Sequence, residues 1–531
     1  MENTTIMKNT KINTYLGQKG YTIPKNELTI EKQKQIRNDL TIKPVSHGAP
    51  LGGNLQVTFP TYRESSNKFY VPHYYGFENF GAPKQYKISE GNDIDLEFNG
   101  NLRENQEIVV NTYIDHVNKV GFGGGLLELP CAYGKTVLSL NIISRLKKKT
   151  FIIVHKEFLM NQWIERIQQF LPKARVGKIQ GTIIDIDDKD IVICMLQSLS
   201  MKEYPISTFE SFGLTIIDEV HHISSEVFSN SLFKLVTKYM LGLSATMNRK
   251  DGTTKVFKMF LGNVIFKGKR DEEREVIVHA IKYEVNDDEF NEVKLDFRGN
   301  PAYSTMISKL CEYNRRTEFI LKIVSDMLSV NPNQQIMILA QYKNILKYLH
   351  DAIAHRNIAT VGYYIGGMKE QALKATEGKK IVIATYAMAA EALDIKTLTT
   401  LIMATPKTDI EQSVGRILRE KHSSPVVVDV VDSHDLFQNQ WRKRKTFYKK
   451  ENYKIIYTDS NSYTPDTSKW LVVFNPKSSG PKECSKKTPK NVSVKSNSSS
   501  DKSITNDSDE EIEEAPKDKY LAGVCFLKIK K

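Results

Sequence analysis

The segment Leu127-Glu128-Leu129-Pro130-Cys131-Ala132-Tyr133-Gly134-Lys135-Thr136 constrains the fold more than any other stretch. The apolar run from Gly125 to Leu129 predicts the end of a buried strand. Gly134-Lys135-Thr136 then opens a segment with Val137, Leu138, Leu140, Ile142 and Ile143 at helical spacing. A strand, a tight loop and a helix start make an anion site, because unpaired backbone N–H groups and the positive helix end converge there. Lys135 adds a cation suited to β- and γ-phosphates, and the Thr136 hydroxyl suits Mg²⁺. The full phosphate-loop pattern wants glycine where Leu129 stands, so a glycine-lysine pair in an ordinary turn stays open at this point.

Other runs repeat the alternation of strand and helix. Phe151–Val154, Ile191–Cys194 and Leu214–Ile217 read as strands. Trp163, Ile164 and Ile167 fall at helical spacing, and Leu241-Gly242-Leu243-Ser244-Ala245-Thr246 closes the series. A second series holds strands near 335–339, 380–385 and 400–404. This order predicts α/β architecture with parallel, doubly wound sheets. Asp218-Glu219-Val220-His221 follows the Leu214–Ile217 strand, at the edge where open α/β sheets bind ligands. There Asp218 suits Mg²⁺ held through water and Glu219 suits the attacking water; an acidic helix cap is the alternative. Gln412-Ser413-Val414-Gly415-Arg416-Ile417-Leu418-Arg419 puts two arginines three apart, on one face if helical. Such a pair fits a triphosphate, or it is simply a surface pair.

Composition narrows the classes. With 531 residues the chain holds two or three domains. No apolar run is long enough for a membrane span, the N-terminus lacks a signal core, and five scattered cysteines lack zinc spacing. These features predict a soluble, intracellular protein without disulfides. A net charge of +13 favours a polyanionic partner, although an AT-rich genome explains it equally well. The aromatic stretch Phe69–Phe77 predicts a small core in preference to a base-stacking surface. The basic segment Trp441–Lys450 touches phosphates or caps the second domain. Ser-, Lys- and Asn-rich residues from about 476 predict a disordered tail.

The order Gln106, phosphate loop, Asp218-Glu219-x-His221, Ser244-Ala245-Thr246, Thr385, Asp394 and Gln412-x-x-Gly-Arg416-x-x-Arg419 resembles the superfamily 2 helicases over residues 102–453. The phosphate loop and Arg249-Lys250-Asp251-Gly252 resemble the XPB-type branch. The aromatic patch and Phe447-Tyr448-Lys449-Lys450 resemble poxvirus-type transcription helicases of large DNA viruses. Ala132 and Met247 depart from the glycine and proline usual there.

The resemblance implies two tandem RecA-like domains. Residues 1–100 would be a small accessory region, 101–270 the ATP-binding domain and 271–300 a connection. Residues 301–455 would form the second domain and 456–531 a mostly disordered tail. It also implies residue roles: Gln106 reads adenine, the loop from Leu129 through Cys131 and Ala132 to Thr136 holds ATP, and Asp218 and Glu219 serve Mg²⁺ and water. Ser244, Ala245 and Thr246 couple hydrolysis to movement, while Thr385 touches the nucleic-acid strand and Asp394 helps close the cleft. Gln412 lies near the attacking water, and Arg416 and Arg419 reach the γ-phosphate. The implied partner is nucleic acid, DNA ahead of RNA, with transcription machinery and no membrane. If viral, the protein belongs to the host cytoplasm or the virion. A non-catalytic nucleic-acid scaffold is the lesser alternative.

Overall fold

The computed structural model describes residues 12–44, 58–120, 123–130, 133–222, 225–247, 249, 252–268, 275–391, 395–418 and 425–476. Among the described residues lie two eight-stranded, mostly parallel sheets and a smaller five-stranded one.

The first large sheet runs Ile183–Ile184, Val176–Gln180, Ile191–Met195, Thr150–Val154, Leu214–Ile217, Tyr239–Ser244, Gly123–Glu128 and Val264–Lys267. Its interior strands are parallel, buried on both faces and nearly all apolar, as parallel sheets require. Helices such as Lys135–Leu146 and Glu157–Phe170 cover one face, and Ser225–Leu232 and Thr254–Leu261 the other, giving a separate apolar cluster on each side.

The second large sheet runs Val361–Tyr364, Ile381–Thr385, Ile336–Ala340, Thr400–Met403, Val426–Asp432, Ile277–Tyr283, Lys454–Asp459 and Leu471–Phe474. It too has a core on each face. These are the doubly wound α/β units expected from the strand–helix alternation, and the two RecA-like domains that the resemblance implies.

The second sheet reaches past residues 301–455 in both directions. Ile277–Tyr283, inside the segment read as a connection, pairs with Val426–Asp432 on one side and Lys454–Asp459 on the other. Leu471–Phe474 then adds an antiparallel edge. Within the charged connection the apolar run Val276–Ala280 reads as an embedded strand, as found, whereas Lys454–Asp459 and Leu471–Phe474 emerge only through tertiary pairing, which supplies their apolar neighbours. The tail from 477 on lies outside the described residues.

The N-terminal region is more regular than its polar composition suggests. Tyr15–Gly17, Gly20–Pro24, Arg63–Glu64, Lys68–Val71 and Gln85–Tyr86 form one sheet. Phe69 and Val71 are fully buried and Tyr75 nearly so, which makes the aromatic stretch a core. His73 is buried with them, and burial pushes its pKa down to about 3. The Tyr74 hydroxyl donates to Gly124 O at 2.9 Å, tying this unit to the phosphate-loop strand.

The basic helix Asp435–Lys450 does cap the second domain. Phe437, Trp441, Arg444 and Tyr448 face inward. Arg444 forks onto Asp429 at 2.8 and 2.9 Å, and the Tyr448 hydroxyl donates to the same carboxylate at 2.9 Å.

Candidate active site between the two RecA-like domains

The phosphate loop sits where the sequence predicts. Strand Gly123–Glu128 ends beside Tyr239–Ser244, and Leu129 N donates to Ser244 O at 2.8 Å. Gly134 caps the helix Lys135–Leu146 in the left-handed region, at φ 90°. The positive φ favours glycine there, and a Cβ at Gly134 would stand 2.4 Å from Gln106 Nε2, displacing that side chain. The Gln106 amide donates to Tyr133 O at 2.9 Å, and Arg103 Nη2 donates to the same oxygen at 2.6 Å. Gln106 is thereby pinned against the loop. Cys131 and Ala132 lie outside the described residues.

Lys135 Nζ meets Glu219 Oε1 at 2.8 Å. Glu219 holds φ at +50°, a conformation that non-glycine residues seldom adopt and that costs on the order of 1–3 kcal/mol. That turn swings the carboxylate from the end of Leu214–Ile217 toward the loop. Asp218 is buried, and its Oδ2 accepts a hydrogen bond from Trp163 Nε1 at 2.9 Å. Burial, then the adjoining Glu219 carboxylate, raises the Asp218 pKa to about 6, while Lys135 and the indole N–H oppose the shift.

His221 joins this cluster to the second domain. Its Nδ1 faces Ser244 Oγ at 2.7 Å and Glu219 Oε2 at 3.3 Å. Its Nε2 is 3.0 Å from Gln412 Nε2. Burial lowers the His221 pKa to about 4, so the ring is neutral at pH 7. With the Gln412 amide nitrogen facing the ring, Nε2 accepts from it and the ring proton is assigned to Nδ1. The Ser244 hydroxyl donates onward to Thr246 O. Lys135, Glu219, His221, Ser244 and Gln412 therefore form one connected network across the two domains.

The second domain contributes differently from a simple helix face. Gln412 lies on the turn Glu411–Val414, while Arg416 lies on a following 3₁₀ segment, Gly415–Leu418, with little of its surface exposed. Arg419 and Asp394 lie outside the described residues. Thr385 ends the strand Ile381–Thr385, is nearly buried, and accepts from Met388 N at 3.4 Å.

Two contributors had no role at the site in the sequence reading. Trp163 looked like a core residue from its spacing, although a buried indole N–H must find an acceptor. Arg249 donates to His221 O at 2.7 Å, a contact that no local pattern encodes.

Asp218 and Thr136 offer only oxygen donors, the set suited to Mg²⁺, which keeps several waters and few protein ligands. Among the described residues no cluster of three or more His, Cys, Asp or Glu forms a protein cage for a metal.

Known families match along the same axis. The model for the type III restriction enzyme res subunit matches residues 99–249, and that for the helicase conserved C-terminal domain matches 318–421. A protein of Acanthamoeba polyphaga mimivirus named "Putative ATP-dependent RNA helicase" is 35% identical over 463 residues, 84% of this chain and 86% of the relative. The chain belongs to the superfamily 2 helicases. It is, as a member, an ATP-hydrolysing enzyme. A "Putative helicase" of Invertebrate iridescent virus 6 is 27% identical, covering 81% of this helicase and 98% of the relative. The helicase domain of Pyrococcus furiosus Hef covers 65% of this chain and 98% of its own, at 12% identity and a TM-score of 0.46. Among the described residues of this helicase, no helix is long and apolar enough to cross a membrane.

Proposed function

We propose that this helicase is an ATP-driven motor on duplex DNA, with catalysis gated by closure of its two domains. The contact between Gln412 and His221 carries the reading. It puts a second-domain side chain one residue away from the Lys135–Glu219 pair, so the cleft geometry and the hydrolytic groups share one network.

In this reading Gln106 reads adenine, and Gly134, Lys135 and Thr136 hold the phosphates. Asp218 and Thr136 would hold Mg²⁺, which neutralises charge on the β- and γ-phosphates. ATP draws Lys135 away from Glu219, and the released carboxylate orients the attacking water. Arg416 and Arg419 stabilise charge on the γ-phosphate when the cleft shuts, with Gln412 beside the water. Ser244 and Thr246 feel that change through His221, Thr385 touches the bound strand, and Asp394 helps close the cleft. The res-subunit match over the first domain supports DNA. A second reading, an RNA substrate, is favoured by the name of the mimivirus relative. The viral relatives also support a viral setting, for which we propose a role in transcription.

The test is the ATPase rate with no nucleic acid, duplex DNA, single-stranded DNA and RNA at one salt concentration. Stimulation by duplex DNA above the others is expected. Stimulation by RNA alone would replace DNA with RNA, and no stimulation by any would end the motor reading.

A further inference from the structure

A short hairpin stands out from the second domain where none of the helicase motifs lies. Leu295 bridges to Pro301 antiparallel, Asp296 N donates to Asn300 O at 2.7 Å, and Ala302 N donates to Lys294 O at 2.8 Å. The Asp296 carboxylate accepts from Arg298 N and Asn300 N at 2.8 and 2.9 Å, and Gly299 completes the tip at φ +81°. The tip is thus held by its own hydrogen bonds. Yet it carries apolar side chains into solvent: Val293 is 43% exposed, Leu295 59% and Phe297 76%. Arg298 lies over the Phe297 ring, 5.0 Å from its centroid.

The hairpin's position gives these side chains a meaning. Immediately after it, the Tyr303 hydroxyl lies 3.4 Å from Gln341 Oε1 and 3.5 Å from Pro406 O. Gln341 and Pro406 follow the strands Ile336–Ala340 and Thr400–Met403, so the hairpin is rooted at the carboxyl edge of the second sheet. Ala340 pairs in register with Thr385 on the neighbouring strand. The residue proposed to touch the strand and the root of the hairpin therefore share one edge, a strand spacing or two apart.

We infer that Phe297 and Arg298 form a stacking contact for an unpaired nucleic-acid strand leaving the motor. An aromatic ring and a guanidinium plane both stack on bases without regard to sequence. Along its length only an unpaired strand exposes base faces, since a duplex offers them only at its terminal pairs. Local charge does not dominate the choice: Lys294 is matched by Glu292 at 2.7 Å, and Asp296 is consumed by the turn, so stacking carries the contact. The inference rests on the motor reading above.

The full-length chain and fluorescein-labelled oligothymidylate and oligouridylate strands provide the test, by anisotropy at one salt concentration. Phe297→Ala should weaken single-strand binding roughly tenfold, ~1.4 kcal/mol, and lower unwinding. ATPase without nucleic acid should stay within twofold of wild type, and Phe297→Trp should bind as wild type does. A strand bearing 5-iodouridine should cross-link at Phe297. The DNA and RNA arms distinguish which strand it takes. Equal binding by Phe297→Ala and wild type would overturn the stacking contact while leaving the motor intact. A wild-type chain that binds neither strand would overturn the stacking contact and the motor reading together.

Discussion

Trp163→Phe perturbs the proposed hydrolytic cluster without touching any residue to which the motifs give a role. The indole ring is almost wholly buried, and its N–H reaches Asp218 Oδ2 at 2.9 Å. Phenylalanine keeps an aromatic ring on the same helix face but offers no donor. A hydrogen bond to a charged group contributes about 1.5–3 kcal/mol, and its loss leaves a buried carboxylate oxygen short of a partner. That range corresponds to about 10- to 150-fold in rate if the carboxylate must be aligned for Mg²⁺. Burial and Glu219 already raise the Asp218 pKa to about 6, and the indole N–H opposes them, so its removal pushes the pKa further upward, toward the assay pH. Mg²⁺ must then compete with a proton for a less ordered ligand. The assay is steady-state ATP hydrolysis over a magnesium titration at pH 7, with thermal melting as a check on folding. The expected result is a lower kcat/KM and a higher half-saturating Mg²⁺, partly recovered at high Mg²⁺ or high pH. A kcat/KM within threefold of wild type at every Mg²⁺ concentration, in a protein that melts normally, would refute the reasoning.

Lys135→Ala should abolish hydrolysis and weaken ATP binding, whereas Arg416→Ala should cut single-turnover hydrolysis about 10³-fold with a smaller effect on binding; equal loss of nucleotide binding in both, with hydrolysis of bound ATP spared in Arg416→Ala, would make the arginine a ground-state ligand. The His221 pKa is depressed to about 4 in the fold against ~6.5 unfolded, so its contribution is present above pH 6.5 and is lost as pH falls toward 4. By pH 5 that loss is about 2 kcal/mol, and urea titrations should show a shallower acid dependence for His221→Gln than for wild type; identical slopes would refute it. Arg444→Met strands the Asp429 carboxylate in the second-domain core and should cost about 3–5 kcal/mol in urea-monitored stability; a change under ~1 kcal/mol would show that Tyr448 suffices.

The sequence by itself determined the two layered α/β units and the pieces of chemistry at their strand ends. Buried parallel strands such as Leu214–Ile217 are almost wholly apolar, so they stand out in any reading. Gly134-Lys135-Thr136 likewise encodes its own turn, since the glycine meets both a left-handed φ and a close neighbour. What no local pattern carries is a contact between residues far apart in the chain. Trp163 reaches Asp218 across 55 positions and Gln412 reaches His221 across 191, and each looks ordinary among its own neighbours. Strand Lys454–Asp459 was obscured for the same reason, because its parallel partner Ile277–Tyr283 lies far away in sequence. The left-handed turn at Glu219 is also a tertiary decision. A glutamate has no intrinsic wish for φ near +50°, and only the surrounding Lys135, His221 and buried strand hold it there. Local sequence therefore specified the ligand-binding parts, and long-range packing decided how they face one another, since hydrogen bonds and ion pairs depend on distance in space rather than along the chain.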